Sequence, residues 1–159
     1  VIVVADTSPI NYLVQIACDS LLPLLYQRVL APEAVVDELN HPSSPVSVKR
    51  WLSSLPAWID VRRASSSSDP ALEALDPGER EAILLAKEQH ADLLLIDERR
   101  GRVEAQRRGL ATTGTLGVLL AAHQKGLVNA QDAYTRLKKE TSFRTTPELD
   151  QYFLQRVRK

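Results

Sequence analysis

Four carboxylates of this 159-residue chain occupy positions that suggest chemistry. Val1 to Ala5 is an unbroken apolar, β-branched run, the mark of a strand buried on both faces, and it ends on Asp6. Leu93 to Ile96 is a second such run, ending on Asp97. A buried strand that stops on a charge has a use for it, because an unpaired buried carboxylate is costly. Glu79 shares a helical face with Ala82, Ile83 and Ala86, so the spacing aims it at a sheet from the first turn of its helix. Glu38 stands beside Val35 and Leu39, the core-facing positions of another helix. Four like charges gathered at one sheet edge repel, and such a cluster persists only with bound protons or bound cations. Hard divalent ions such as Mg²⁺ and Mn²⁺ prefer oxygen ligands and suit phosphate substrates. The chemistry suggested is metal-assisted attack of water on a phosphodiester.

Each residue also has a plainer reading. Asp6 could cap the turn that follows it, and Glu38 could be a solvated glutamate on an amphipathic helix. Asp76 to Glu79 fits a capping box, in which Glu79 would bond back to the Asp76 N–H. Thr115 could hydrogen-bond a metal-bound water or cap a helix. Glu81 and Glu98 are expected to be exposed. If the cluster is crowded, Asp6→Asn or Asp97→Asn should hold or raise stability without metal.

The elements that must position these groups alternate between strand and helix. After Asp6, Ser8 and Pro9 read as an N-cap and first-turn pair, with Ile10, Leu13, Val14 and Ala17 at helical spacing. Asp19 and Ser20 can cap a second helix through Tyr26, Arg28 to Ala31 reads as a strand, and Pro32 starts a helix to about Asn40. A proline- and serine-rich loop, His41 to Ser47, precedes a helix near Val48 to Leu55 and a strand near Trp58 to Val61. Ser65 to Ser68 reads as a flexible connector. The central stretch from Asp76 to Arg102 is a capped helix, a turn at Gln89 to Ala91, the strand ending at Asp97, and then a basic helix to Arg108. Leu110 to Thr113 is a strand, and Thr113 to Gly117 turns it into a helix that runs to Lys125 and closes at Gly126. Two amphipathic helices follow, near Ala130 to Glu140 and Pro147 to Arg158. Such alternation predicts an α/β domain with a mainly parallel sheet, because parallel neighbours need crossover connections. Ligands of such sheets lie beyond the carboxyl ends of the strands.

Composition narrows the function. Lys plus Arg equals Asp plus Glu at 20 each, so no bulk positive field draws the chain onto polyanions, and nucleic-acid contact must come from a local patch. Arg99, Arg100 and Arg102, just after Asp97, could be that patch; a solvated helix face explains them equally well. The single Cys18 excludes an internal disulfide and a cysteine zinc cluster, which fits a reducing cytoplasm. His41, His90 and His123 share no ligand spacing. No apolar run approaches the ~20 residues of a membrane span, and no basic leader opens the sequence. The chain opens on Val1 rather than Met, so the expectation is that the first residue of the gene product is not among these. The length fits one domain over residues 1–159, with C-terminal helices from about residue 130.

V-V-A-D-T-S at Val3 to Ser8, V-V-D-E-L at Val35 to Leu39, G-E-R-E-A-I at Gly78 to Ile83 and L-L-L-I-D-E-R-R-G-R at Leu93 to Arg102, in that order, resemble the PIN-domain superfamily of nucleases. Within it the chain looks most like the short prokaryotic branch related to VapC-type toxins. The resemblance implies a three-layer sandwich with about five parallel strands, and a Mg²⁺- or Mn²⁺-dependent endoribonuclease. Its acidic quartet would be Asp6, Glu38, Glu79 and Asp97, with Ser8 matching the small polar residue after the first Asp. It also implies an RNA substrate, a homodimer and an antitoxin partner if the chain is a toxin. The departure is Glu79, where toxin relatives usually carry Asp. Two other functions compete: a catalytically weak PIN-like domain that binds RNA or a partner protein, and a phosphoacceptor or phosphatase domain on a similar sheet. The last would need a second Asp soon after Asp6, where Thr7 and Ser8 stand instead.

Overall fold

The computed structural model describes residues 1–65 and 69–158. The connector expected at Ser65 to Ser68 lies, beyond its first residue, outside them. Five strands form one sheet: β1 (Val3–Ala5), β2 (Val29–Pro32), β3 (Ile59–Arg62), β4 (Leu93–Leu95) and β5 (Thr112–Thr113). Every pairing is parallel and the order is β3-β2-β1-β4-β5, so all five carboxyl ends share one edge, as the strand-helix alternation predicts. The chain leaves β1 toward β2 and β3 on one side, then crosses back to lay β4 and β5 on the other. The order therefore reverses between β1 and β4, and a crevice at such a switch point is where ligands of open α/β sheets bind.

Helices α1 (Thr7–Gln15), α2 (Leu21–Tyr26), α3 (Glu33–Leu39), α4 (Val46–Ser53), α5 (Pro70–Glu73), α6 (Pro77–Glu88), α7 (Arg99–Arg107), α8 (Thr115–Gln124), α9 (Ala130–Glu140) and α10 (Pro147–Val157) complete the chain. The inner strands β1, β2 and β4 are buried on both faces and alternate between two cores, while the edge strands β3 and β5 are only partly covered. Val3, Ala5 and Leu95 pack with α1, α3 and α8 and with Tyr134, Leu137 and Phe153 of the C-terminal helices. Val4, Leu94 and Ile96 pack with Leu72, Ile83, Leu85 and Ala105 from α5, α6 and α7. Each fully buried side chain of this size stabilises by ~1.5–3 kcal/mol. Among the described residues no helix is long and apolar enough to cross a membrane.

Several boundaries moved from the expected positions. β1 begins at Val3, because Val1 projects into solvent and Ile2 is only half covered. α1 starts one residue before Ser8, with Asp6 at the N-cap position, so Pro9 falls third in the helix rather than first. Proline is tolerated there because the N–H groups of the first turn have no partner within the helix. The four-residue α5 was not legible; Asp69 caps it by accepting the Ala71 N–H at 3.0 Å.

Candidate active site at the carboxyl edge of the sheet

Asp6 ends β1 and occupies the N-cap position of α1, yet its side chain makes no capping hydrogen bond. It is 2% exposed, and its Oδ1 has no hydrogen-bond partner. Burial pushes the carboxyl up to about 8; the Thr7 N–H offsets only part of this, and the charges of Glu79, Asp76 and Glu38 add to the rise. Glu79 lies in the first turn of α6, with Ala82, Ile83 and Ala86 buried on its face as the spacing predicts. It is 7% exposed, and its Oε2 also lacks a partner. Burial first, then the charge of Asp76, pushes it up to about 7.

The capping alternative for Glu79 is realised as well. Asp76 caps α6 by accepting the Glu79 N–H at 3.2 Å, and the Asp76 backbone N–H donates back to the Glu79 carboxyl, which lowers its pKa in part, while Glu79 Oε2 stays without a partner. Asp76, read from sequence only as a cap, is thus a fifth acidic group whose charge acts on Asp6, Glu38 and Glu79. Glu38 is half-buried and bridges two helices: the Thr7 hydroxyl donates to its Oε1 at 2.9 Å and the Gly78 N–H donates to its Oε2. Burial raises its pKa while the Thr7 bond lowers it. Glu81, expected to be exposed, is half-buried; burial and the nearby acids Glu33, Asp37 and Glu38 raise it, which places it against α3. Glu98 is exposed as expected.

Asp97 behaves differently from Asp6. The Thr115 N–H donates to its Oδ1 at 2.7 Å and the Thr115 hydroxyl to its Oδ2 at 2.8 Å. Burial raises its pKa against those two bonds. Asp97 therefore holds the start of α8, where the helix dipole favours an anion. Gly114 is the N-cap of α8, and Thr115 is its first residue, fully buried with both donors spent on Asp97. The register explains why Asp97 and Asp6 differ. Ala5 pairs with Leu95, so Asp97 lies one residue farther along its strand than Asp6. With a period of two, Asp6 falls on the side of Val4, toward α6, and Asp97 on the side of Leu95, toward α8. The two share an edge but lean to opposite faces of it. The expectation that Asp97→Asn holds or raises stability has this against it, that its carboxylate is an acceptor for both Thr115 donors.

Three glycines that sequence reasoning passed over hold the carboxylates in place. A Cβ on Gly78 would meet Glu38 Oε2 at 2.5 Å, one on Gly101 would meet Glu79 Oε2 at 2.8 Å, and one on Gly114 would meet Asp97 Oδ1 at 2.5 Å. The backbone of a helix start thus lies against each of these three acids. G-E, R-R-G-R and T-G-T carry the signal, since glycine in a helix's first turn has no propensity reason to be there.

Ser8 and Asp97 lie along one groove, and Arg99 and Arg102 line it. Arg100 points elsewhere and donates to the Ala74 carbonyl at 3.0 Å. Among the described residues, no three Asp, Glu, His or Cys side chains converge closely enough to hold a metal ion as they stand. The donor chemistry nonetheless fits a hard cation at Asp6 and Glu79, where two buried carboxylate oxygens have nothing to bind.

A parallel α/β sheet with acids at its switch point is the class of fold that binds ligands at the carboxyl ends of its strands. A family model described as a PIN domain matches residues 2–159, and the chain belongs to that family. PIN domains are generally nucleases. No curated protein matches the chain significantly.

Proposed function

We propose that the protein is a divalent-metal-dependent ribonuclease acting at the cleft between β1 and β4. The observation that carries this reading is the pair of orphaned oxygens, Asp6 Oδ1 and Glu79 Oε2. Burying them costs stability that a cation would restore, and a carboxylate kept only for structure would have acquired a donor. Asp6 and Glu79 would hold the ion. Glu38, fixed by Thr7 and Gly78, and Asp97, fixed by Thr115, would complete the negative field around it. Mg²⁺ or Mn²⁺ bound there would polarise a phosphodiester and promote its attack by water. The chain's own part is positional: helix starts hold the acids, and Arg99 and Arg102 orient the phosphate backbone beside them. The phosphoacceptor alternative lacks its second aspartate, since Thr7 and Ser8 follow Asp6.

The test is cleavage of unpaired and structured RNA with and without Mg²⁺ or Mn²⁺, run beside Asp6→Asn. Cleavage that needs the metal and vanishes in the variant is expected. Metal-independent cleavage, or equal cleavage by Asp6→Asn, would overturn the reading.

A further inference from the structure

The sheet has two outer edges, and they end differently. β5 is only two residues long, and the Gln106 side chain closes on it by donating to the Thr112 hydroxyl at 3.1 Å. β3 is four residues long and, among the described residues, pairs with β2 alone. Its backbone groups divide with a period of two. Val29 stands opposite Ile59 and donates its N–H to the Trp58 carbonyl at 3.0 Å, so Asp60 and Arg62 spend their backbone groups on β2. The N–H and C=O of Val61 therefore face outward, and Val61 is 37% exposed. An open strand edge is a template for another strand, and proteins blunt such edges with proline, lysine, a bulge or a covering segment. Ile59 to Arg62 contains neither proline nor lysine, and its register with β2 runs without a bulge.

The side chains of this edge complement themselves. Asp60 and Arg62 share one face of the strand, where the Arg62 guanidinium donates to Asp60 Oδ2 at 2.9 and 3.1 Å, and Ile59 and Val61 share the other. A second copy laid antiparallel along β3, with the two-fold axis at Val61, brings Val61 opposite its own counterpart, where the two exchange both backbone hydrogen bonds. Asp60 then meets Arg62 of the second copy, and Arg62 meets its Asp60. Moving the axis one residue either way sets Asp60 against Asp60 or Arg62 against Arg62, and like charges directly opposite destabilise a sheet. An axis at Asp60 also calls on the Ile59 N–H, which is spent on the Pro56 carbonyl at 3.3 Å. One register thus satisfies backbone bonding, charge and apolar contact together, and the strand that supplies all three is β3 itself.

We propose that β3 is an interface between two copies of this chain, paired antiparallel about Val61, which joins two five-stranded sheets into one. The proposal goes beyond the ribonuclease reading and does not depend on it. Strand direction reverses across the axis, so the two acidic edges face opposite ways and neither copy completes the other's site. A four-residue strand buries less surface than a stable interface needs, so the dimer is a weak one that forms at high protein concentration.

The experiment is analytical ultracentrifugation of the full chain over a range of concentrations. Wild type should pass from monomer to dimer as concentration rises. Asp60→Arg sets a second guanidinium against Arg62 across the axis, and Arg62→Asp sets two carboxylates together, so each variant alone should dimerise at least tenfold more weakly. Mixed in equal amounts, the two variants should recover wild-type association as a heterodimer, because the strand with two arginines then faces the strand with two aspartates. Loss of the ion pair within one strand cannot produce that rescue, since both variants lack it. Val61→Pro should also abolish the dimer and leave the fold intact, because the N–H it removes faces away from β2. A wild-type chain still monomeric at ~1 mM would overturn the interface. So would wild-type association by Val61→Pro or by both charge variants, which would place the dimer on another face, and so would a mixture that associates no better than either variant alone.

Discussion

Replacing Asp6 by Asn should make the metal-free protein more stable while abolishing its response to Mn²⁺. The magnitude follows from the buried carboxyl, whose pKa rises from 3.8 to about 8 on folding. Below the ordinary carboxylate range both folded and unfolded chains hold the proton, and Asp6 costs nothing. As pH climbs from about 4 to about 8 only the unfolded chain ionises, so stability falls, and above about 8 the loss levels off. At pH 7 the shift amounts to about 4 kcal/mol against the fold. Asparagine removes that penalty but buries an amide in place of an oxygen that had no partner, which costs ~1–3 kcal/mol. The net gain is ~1–3 kcal/mol, or roughly 2–12 °C in Tm for a chain of this length. Thermal unfolding in chelator at pH 5 and pH 8 measures it: the variant should gain at pH 8 and little or nothing at pH 5. Saturating Mn²⁺, at about a hundred times its Kd, should add ~2.7 kcal/mol to wild type and nothing to Asp6→Asn. A variant that melts below wild type at pH 8 would show that the Asp6 carboxylate holds the fold together, and the argument from its orphaned oxygen would collapse.

Asp97→Asn should not share that gain: the amide can accept the Thr115 N–H and donate to the Thr115 hydroxyl oxygen, but both bonds lose the charge assistance of the carboxylate, and a metal-free Tm that rises as much as for Asp6→Asn would refute this. Glu79→Gln should fold normally, since Gln serves at that position of a cap, and should lose Mn²⁺ affinity and cleavage, with Glu81→Gln close to wild type. Equal losses in calorimetric Mn²⁺ titrations of the two variants would sink the assignment of Glu79. Gly101→Ala sets a helix-propensity gain of ~1 kcal/mol against ~1–3 kcal/mol of overpacking on Ile96 and Glu79. Its Tm should therefore fall modestly while Mn²⁺ affinity falls at least tenfold, and wild-type affinity would disprove the contact's importance.

Asp6 and Asp97 were legible because an apolar run ending in a charge is a local pattern. Glu79 was legible through its helical offsets, which the structure reproduces. Glu38 was separable from an ordinary solvated glutamate only by resemblance, since what marks it is its contact with Thr7 and Gly78 from two other helices. The opposite leanings of Asp6 and Asp97 depend on a one-residue offset in the pairing of β1 with β4, which neither strand's sequence contains. The glycine contacts likewise depend on which helix start approaches which acid. That Phe143, Arg144 and Tyr152 line the same groove as Asp97 was not legible, because they are distant from it in sequence and follow no motif.

The central place of β1 has a consequence for synthesis. β1 is synthesised well before β4, with which it pairs on one side, and Ile2 donates its N–H to the Asp92 side chain 90 residues later. Closing so long a loop is entropically slow, and no earlier strand substitutes for β4. A nascent chain that has just released α6 therefore carries Asp6, Glu38 and Glu79 but not the strand that walls the cleft. Ribosome-arrested chains of that length should be open to protease. Under the ribonuclease reading proposed above, the sheet order defers assembly of the site, beside the ribosome's own RNA, until β4 has been made.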